Sequence, residues 1–267
     1  MNIIAFAGRK NSGKSTLCNF LHGYYMKMHG SIDGFEILEN GDLVIETDII
    51  GDDGQLSKGK GIIDIKRTDV DFAMWASSTM WPIVKHYAFA TPFKEFAVEL
   101  FDIDRNKVYG SNEDKNSLTQ YKWEDMPFKT KKTGYMTVRE FLQSLGTEIF
   151  RKIYSDIWAN RALKDIVAEN PMMATISDLR HLNECSKVKA NGGKIIFLTG
   201  GLEGDSHSSE TSFEEMEFDA TIDTANQSVD ESCHQLVELC NQWGFVPSEI
   251  FHPQPENAKP KKVRKIR

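Results

Sequence analysis

The feature that most constrains this 267-residue chain is an eight-residue loop near its start, GRKNSGKS. From Gly8 to Ser15 it matches the pattern G-x-x-x-x-G-K-[ST], in which a glycine-rich turn lets backbone N–H groups converge on phosphate oxygens. A continuous apolar run at 3–7 precedes the loop, and apolar residues at helical spacing follow it. A strand, a turn and a helix in this order are the context that the pattern requires, because the helix N-terminus adds partial positive charge. The loop therefore predicts a nucleotide-phosphate site.

The loop also assigns roles within that site. Lys14 is predicted to bridge the β and γ phosphates of ATP, and Ser15 to ligate Mg²⁺. The predicted ATP-binding residues of this segment are Gly8, Lys10, Asn11, Ser12, Gly13, Lys14, Ser15 and Thr16. The chain lacks the Asn-Lys-x-Asp sequence of guanine-reading GTPases and an apolar strand ending in Asp-Glu. Both absences weaken the hypotheses of a GTPase and of a water-activating ATPase.

Apolar runs alternate with helical patterns along the rest of the chain, which is typical of a mainly parallel sheet covered on both faces. The predicted fold is α/β, a three-layer αβα P-loop NTPase with a five-stranded sheet and an inserted β-hairpin region. The predicted core strands lie at 3–7, 85–90, 173–177, 194–199 and 220–223.

The predicted kinase domain spans 1–250 and carries two excursions. Residues 31–82 are predicted as an insertion, in which Asn40-Gly41 between two strand-like runs indicates a hairpin and 51–61 reads as a loop. Residues 102–135 are polar and are predicted to be an irregular, mobile excursion. Residues 251–267 are predicted to be a basic, disordered tail.

Cysteine usage, apolar stretches and net charge disfavour several classes of protein. The four cysteines form no Cys-x-x-Cys pair, which disfavours a disulfide scaffold and a structural zinc site and fits a reducing cytosol. No signal peptide or membrane-spanning stretch is recognisable, so a cytoplasmic location is expected, in the host cytosol if a phage encodes the protein. The formal charge is −7 although the tail is basic, so the body is acidic and nucleic-acid binding is disfavoured except through the tail.

Five stretches in order give the chain a resemblance to the deoxynucleoside monophosphate kinases of tailed bacteriophages, and more loosely to the dephospho-CoA kinases. They are GRKNSGKS at 8–15, FATPFK at 89–94, VREFLQSLGT at 138–147 with Trp158 downstream, SDLRHLNE at 177–184, and DSHSSE at 205–210 followed by FDATID at 218–223. The insertion and the tail lie outside the resemblance. The glycine that the family places before proline is Thr91 here.

The resemblance implies transfer of the ATP γ-phosphoryl group to the 5′-phosphate of a deoxynucleotide, a small-molecule substrate, with Mg²⁺ as cofactor. It places adenine near Thr224 and makes Lys14, Arg139 and Arg180 the candidate catalytic residues. It implies an acceptor site made of Lys94, Arg139, Gly146, Thr147, Trp158, Asp178, Arg180 and Glu184. Asp178 joins Ser15 as a candidate metal ligand. The chemistry agrees, because two polyanions must be brought together in line, and arginine and lysine side chains serve that purpose.

Structural alternatives stay open for several of these residues. Arg139 also fits a helix surface, Trp158 a core position, and Asp178 a cap on the helix that begins near 181. Two functional alternatives also remain: a P-loop kinase of another small acceptor, and a nucleotide-binding interaction protein without transferase activity. A homodimer is left open.

Overall fold

The computed structural model of the protein describes residues 1–50, 55–128, 130–201 and 211–246. Its strands are β1 (Asn2–Gly8), β2 (Gly34–Ile37), β3 (Leu43–Ile50), β4 (Leu56–Ile63), β5 (Val84–Tyr87), β6 (Leu118–Lys122), β7 (Tyr135–Thr137), β8 (Met173–Leu179), β9 (Lys194–Leu198) and β10 (Ala220–Ile222). Its α-helices are α1 (Lys14–Met28), α2 (Val70–Thr79), α3 (Thr91–Phe101), α4 (Arg105–Tyr109), α5 (Asn112–Asn116), α6 (Val138–Gln143), α7 (Arg151–Ile153), α8 (Ile157–Glu169), α9 (Leu182–Ala190) and α10 (Val229–Gln242).

The main sheet confirms the predicted fold class. Five strands lie in the order β10-β9-β1-β8-β5, and every neighbouring pair is parallel. Strand β1 is central, which explains why its sequence is apolar without interruption. Since all five strands run the same way, their carboxyl ends meet at one edge of the sheet, where open α/β sheets bind ligands.

The side chains of β1 divide the core into two layers. Ile4 and Phe6 point into one buried cluster together with residues of α1, α2 and α10. Ile3, Ala5 and Ala7 point into the other, with residues of α8 and α9. Helices thus cover both faces of the sheet, and the three-layer prediction is confirmed.

The insertion forms an antiparallel sheet of its own, in the order β2-β3-β4. The predicted hairpin around Asn40-Gly41 is confirmed as the β2–β3 connection. The predicted loop at 51–61 is wrong for its second part, because β4 pairs with β3 from Leu56 to Ile63. Glycines and lysines made this strand resemble a loop, but the long neighbour β3 supplies its hydrogen bonds. Residues 51–54 lie outside the described ranges.

The inserted sheet packs directly against α1. Gly23 on that helix faces Phe35 of β2 and Leu43 of β3, and a Cβ atom at position 23 would lie 2.9 Å from the Leu43 side chain and closer still to the Phe35 ring. We therefore expect Gly23→Ala to lower the free energy of unfolding by about 1–3 kcal/mol, because overpacking forces the sheet away from the helix. Chemical denaturation measures this change. Gly61→Ala on β4, where a Cβ atom would meet no other atom within 4 Å, is the control, and equal stability of Gly23→Ala and wild type would contradict the packing.

The segment predicted as an irregular, mobile excursion at 102–135 contains α4, α5 and β6, so the irregular part of that prediction is wrong. Asp104 and Ser111 cap the two short helices through their side chains. Trp123 and Val108 join Phe141 of α6 in a third buried cluster. The apolar residues of this segment follow neither a helical nor a strand period, so the sequence pattern alone did not indicate helices or strands here. Residue 129 lies outside the described ranges.

Three further expectations can be placed against the structure. All four cysteines are free and buried. None of the helices in the described residues is long and apolar enough to cross a bilayer. The stretch at 205–210 and the predicted tail at 251–267 lie outside the described residues.

A buried histidine of α1 is expected to make the stability of the protein depend on pH. His22 of α1 is fully buried, and its Nδ1–H donates to the Cys18 carbonyl oxygen at 2.8 Å. Burial lowers the pKa of His22 from 6.5 to about 4, although that hydrogen bond opposes the change. The stability contribution is therefore complete above pH 6.5 and is lost as the pH falls towards 4, because the unfolded chain binds the proton first.

His22→Leu should remove that contribution. Between pH 7.5 and pH 5 we expect the variant to lose about 2 kcal/mol less free energy of unfolding than the wild type loses. Urea titrations at the two pH values measure the difference. His234→Leu, which changes a histidine with a half-exposed side chain on α10, is the control. A wild-type pH dependence in His22→Leu would show that His22 is not the group responsible.

Candidate active site

The phosphate-binding loop leaves β1 at its carboxyl end and takes a tight path that requires its glycines. Gly8, Asn11 and Gly13 have φ values of +145°, +62° and +91°. A Cβ atom on Gly8 would lie 2.7 Å from both the Leu198 carbonyl oxygen and the Ser12 hydroxyl. Only glycine fits there, since the position combines a left-handed conformation with no room for a side chain. The predicted strand, turn and helix around the loop are confirmed.

Lys14 lies inside the curve of this loop. Its ammonium donates to the Gly8 carbonyl oxygen at 2.8 Å, to the Ser12 hydroxyl at 3.1 Å, and to the Arg9 carbonyl oxygen. Ser15 follows on the first turn of α1 with its side chain exposed. The loop thus presents an ammonium, a hydroxyl and a helix N-terminus to one region of solvent, which is a suitable arrangement for a triphosphate.

Thr224 holds the phosphate-binding loop in place through hydrogen bonds of its hydroxyl. Its hydroxyl donates to the Ser12 carbonyl oxygen at 2.9 Å and accepts from the Gly200 N–H at 3.0 Å. The loop after β10 is thereby tied to the loops after β1 and β9. The observed contact is with protein backbone, and the placement of adenine near Thr224 stays a prediction.

Asp178, near the carboxyl end of β8, fixes the start of α3. Its two carboxylate oxygens accept from the N–H groups of Phe89 and Ala90, each at 2.9 Å. The suggested cap on the helix near 181 is therefore wrong, because Asp178 caps the segment before α3 instead. Lys94 lies on the first turn of α3. Burial lowers the pKa of Lys94, and the negative charge of Asp178 opposes that change.

Arg139 lies on the first turn of α6, which begins with the predicted capping box of Thr137 and Glu140. Its guanidinium donates to the Asn112 side-chain oxygen at 2.8 Å and to the Asn116 side-chain oxygen at 3.2 Å. Both asparagines belong to α5. The arginine is therefore held in one direction by neutral partners, which leave its positive charge uncompensated.

The Gly146-Thr147 pair falls in a π-helical turn, Ser144–Phe150, between α6 and α7. The turn exposes Thr147 and leaves the Gly146 carbonyl oxygen to the indole N–H of Trp158, which donates at 3.1 Å. Trp158 is only 6% exposed and contacts the rings of Phe93 and Phe150. The structure thus places Trp158 in the core, where it supports the turn, and π-helical turns of this kind are frequent at functional sites.

Glu184 is almost completely buried and supports the segment that carries Arg180. One carboxylate oxygen forms an ion pair with Arg151, and the other accepts from the N–H groups of Arg180 and His181 at 2.8 and 3.0 Å. These contacts engage both oxygens with protein groups. The Arg180 guanidinium makes no hydrogen bond or ion pair to any residue that the structure describes, so its charge is available at the end of β8.

Comparison with known proteins fits this geometry. The family model described as deoxynucleotide monophosphate kinase matches residues 95–235, just over half of the chain. The chain belongs to this family. A protein of Acanthamoeba polyphaga mimivirus named "Putative deoxynucleotide monophosphate kinase" is 25% identical over 157 residues, which cover 56% of this chain and 79% of that protein. The matched range contains Arg139, Asp178 and Arg180 but not the phosphate-binding loop or Lys94.

Two lysines near the candidate site of this member of the deoxynucleotide monophosphate kinase family were not predicted from the sequence. Lys115 of α5 is half-buried, and its pKa is lowered by burial and by the charges of Arg139 and Lys66. The Lys66 ammonium donates to the Ser15 hydroxyl at 2.8 Å. Both residues lie in segments predicted as excursions, and no sequence pattern connected them with the loop.

The residues present can accommodate Mg²⁺ in the way that kinases usually hold it. No group of three or more His, Cys, Asp and Glu side chains in the described residues could hold a metal ion. Mg²⁺ in kinases needs only one or two protein oxygens, because nucleotide phosphates and waters complete its shell. The exposed Ser15 hydroxyl meets that requirement once the Lys66 ammonium that now donates to it is transferred to a phosphate oxygen. The metal role predicted for Asp178 stays a prediction, since both of its oxygens already accept backbone hydrogen bonds.

Proposed function

We propose that this protein transfers the γ-phosphoryl group of ATP to the 5′-phosphate of a deoxynucleoside monophosphate. One observation carries the proposal: the phosphate-binding loop follows β1, Asp178 lies near the carboxyl end of β8, and Lys94 lies on the helix that follows β5, and these three parallel strands are neighbours in the sheet. The proposed donor and acceptor sites therefore share one edge of the sheet. The family membership of residues 95–235 supports a phosphorylated acceptor.

The chemistry of the acceptor decides what the side chains must do. The second pKa of a phosphate monoester is about 6, so the acceptor is already ionised at neutral pH and needs no strong general base. An acceptor oxygen attacks the γ-phosphorus, the bond to the β–γ bridging oxygen breaks, and ADP leaves with that electron pair. The obstacle is repulsion between two polyanions, which positioned cations overcome.

Separate groups of residues bind the two substrates. The loop amides and Lys14 bind the phosphates of ATP, and Mg²⁺ at Ser15 would neutralise charge on the β and γ phosphates. Arg139 and Arg180 supply forked donors for the acceptor phosphate, which suit its planar pairs of oxygens. Lys94 adds a third charge from the first turn of α3, and its low-dielectric surroundings strengthen its attraction for an anion.

An acceptor screen tests the proposal. The full-length protein is incubated with ATP, Mg²⁺ and each of the four deoxynucleoside monophosphates in turn, with pantetheine and a sugar as alternative acceptors. We expect ADP formation that requires a deoxynucleoside monophosphate, together with the matching diphosphate on anion-exchange chromatography. ADP formation with only another acceptor would assign a different kinase, and ATP binding without turnover would favour an interaction protein.

A further inference from the structure

The turn between β4 and α2, residues 64–67, brings a cation from the insertion to the phosphate-binding loop. Ile65 anchors this turn, because it is 4% exposed and lies in the same buried cluster as residues of α1. The Asp64 carboxylate accepts from the Lys66 N–H at 2.9 Å, and the Asp64 carbonyl oxygen accepts from the Arg67 N–H at 3.2 Å. The backbone that presents Lys66 is therefore fixed.

The side chain of Lys66 reaches the donor side of the candidate site. Its ammonium lies 2.8 Å from the Ser15 hydroxyl oxygen, although 51 residues separate the two in sequence. Ser15 is the hydroxyl that the loop presents beside the β and γ phosphates of ATP. An ammonium at that hydroxyl lies within one hydrogen bond of the triphosphate position.

The same ammonium also acts on the acceptor side. Burial lowers the pKa values of Lys94 and Lys115, and the positive charge of Lys66 lowers both further. Neither Lys66 nor these two lysines has a carboxylate within ion-pair distance in the part of the chain that the structure describes. The three positive charges therefore favour the binding of an anion in this region.

The inserted sheet holds its position through α1 itself. The Asn19 side-chain N–H donates to the Gly41 carbonyl oxygen at 2.8 Å, and Gly41 lies so close to Thr16 that a Cβ atom there would clash with the threonine hydroxyl. The insertion thus contacts the first turns of the helix that follows the loop. These contacts position the insertion, and with it Lys66, relative to the donor site.

We propose that Lys66 is a catalytic residue, whose ammonium contacts the γ-phosphoryl group between the phosphate-binding loop and the acceptor cations. This role rests on the proposed function, because it requires transfer between two phosphates. The insertion, which lies outside the family match, then completes the active site. The charge that develops on the transferring oxygens is where such an ammonium stabilises the transition state most.

The test compares Lys66→Met, Lys66→Gln and Lys66→Arg with the control Lys60→Met, which removes an exposed lysine from β4 of the same sheet. We expect Lys66→Met and Lys66→Gln to lower kcat for deoxynucleotide phosphorylation about 100-fold, with smaller changes in either KM. Lys66→Arg should recover part of the loss, and Lys60→Met should equal the wild type. Unchanged kcat in both neutral variants would overturn the proposal.

A binding measurement separates this proposal from the proposed function. Isothermal titration of ATP, without acceptor and with or without Mg²⁺, should show at least about threefold weaker binding to Lys66→Met than to Lys60→Met. Should the wild type phosphorylate no deoxynucleotide, the proposed function fails, and the titration alone then decides whether Lys66 contacts the triphosphate. Equal affinities would exclude that contact. Thermal unfolding of every variant confirms that each is folded.

Discussion

Replacing Lys14 with methionine is expected to lower phosphoryl transfer from ATP about 1000-fold while leaving the protein folded. The loop holds this ammonium within hydrogen-bond distance of the Gly8 carbonyl oxygen and the Ser12 hydroxyl, at the centre of the predicted triphosphate site. Methionine has a similar length and no charge, so it removes the cation without opening a cavity. Coupled ADP release with saturating acceptor measures the rate.

The control for Lys14→Met is Lys27→Met, which removes an exposed lysine from the last turn of the same helix. This substitution removes the same unit of positive charge, but from the opposite end of the helix. We expect wild-type rates and a similar melting temperature in that control. Full ATP turnover in Lys14→Met would end the nucleotide-site interpretation, whatever the acceptor.

The second large effect is expected at the two arginines. Arg139→Ala and Arg180→Ala should each lower kcat/KM for the deoxynucleotide about 30- to 100-fold, because a charged hydrogen bond contributes about 1.5–3 kcal/mol. The KM for ATP should stay close to the wild-type value, since the loop binds that substrate separately. Initial rates with each substrate varied in turn give both constants.

Arg161→Ala provides the matched control for these arginines. Arg161 lies on the outer surface of α8, where it pairs with Asp165 four residues later. Loss of that exposed pair should change neither kinetics nor stability measurably. Wild-type acceptor kinetics in both Arg139→Ala and Arg180→Ala would remove these residues from the acceptor site.

The central sheet could be predicted because its strands are buried on both faces and therefore apolar throughout. For the second core strand, hydrogen bonding explains why the predicted end differs from the observed one. The second core strand was predicted at 85–90 but ends at Tyr87, since the N–H groups of Phe89 and Ala90 donate to Asp178 and not to a neighbouring strand. No local sequence pattern reveals a backbone group captured by a side chain 88 residues away.

The insertion and the excursion were harder to predict because tertiary contacts decide them. Strand β4 has weak strand propensity and depends on β3 for its pairing. The helices α4 and α5 have only five residues each, and their caps and their contacts with α6 stabilise them.

The candidate site likewise contains some residues that the sequence predicts and others that only the folded structure reveals. The phosphate-binding loop is a contiguous motif, so residues 8–15 could be assigned directly from the sequence. Trp158 and Glu184 were predicted from family resemblance. In the structure, Trp158 donates to a carbonyl oxygen of the π-helical turn, and Glu184 accepts from the backbone N–H of Arg180. Lys66 could not be found in this way, because only the folded insertion brings it to Ser15.

The hydroxyl of Thr224 has a consequence for how quickly nucleotide is captured. Because this one side chain joins Ser12 to Gly200, the entropy of ordering the phosphate-binding turn is lost when the chain folds and not when ligand arrives. We therefore expect nucleotide to bind without loop closure at this point, at a rate that depends on ionic strength. In the proposed function, ADP would leave and ATP would bind on the same preformed surface in every turnover.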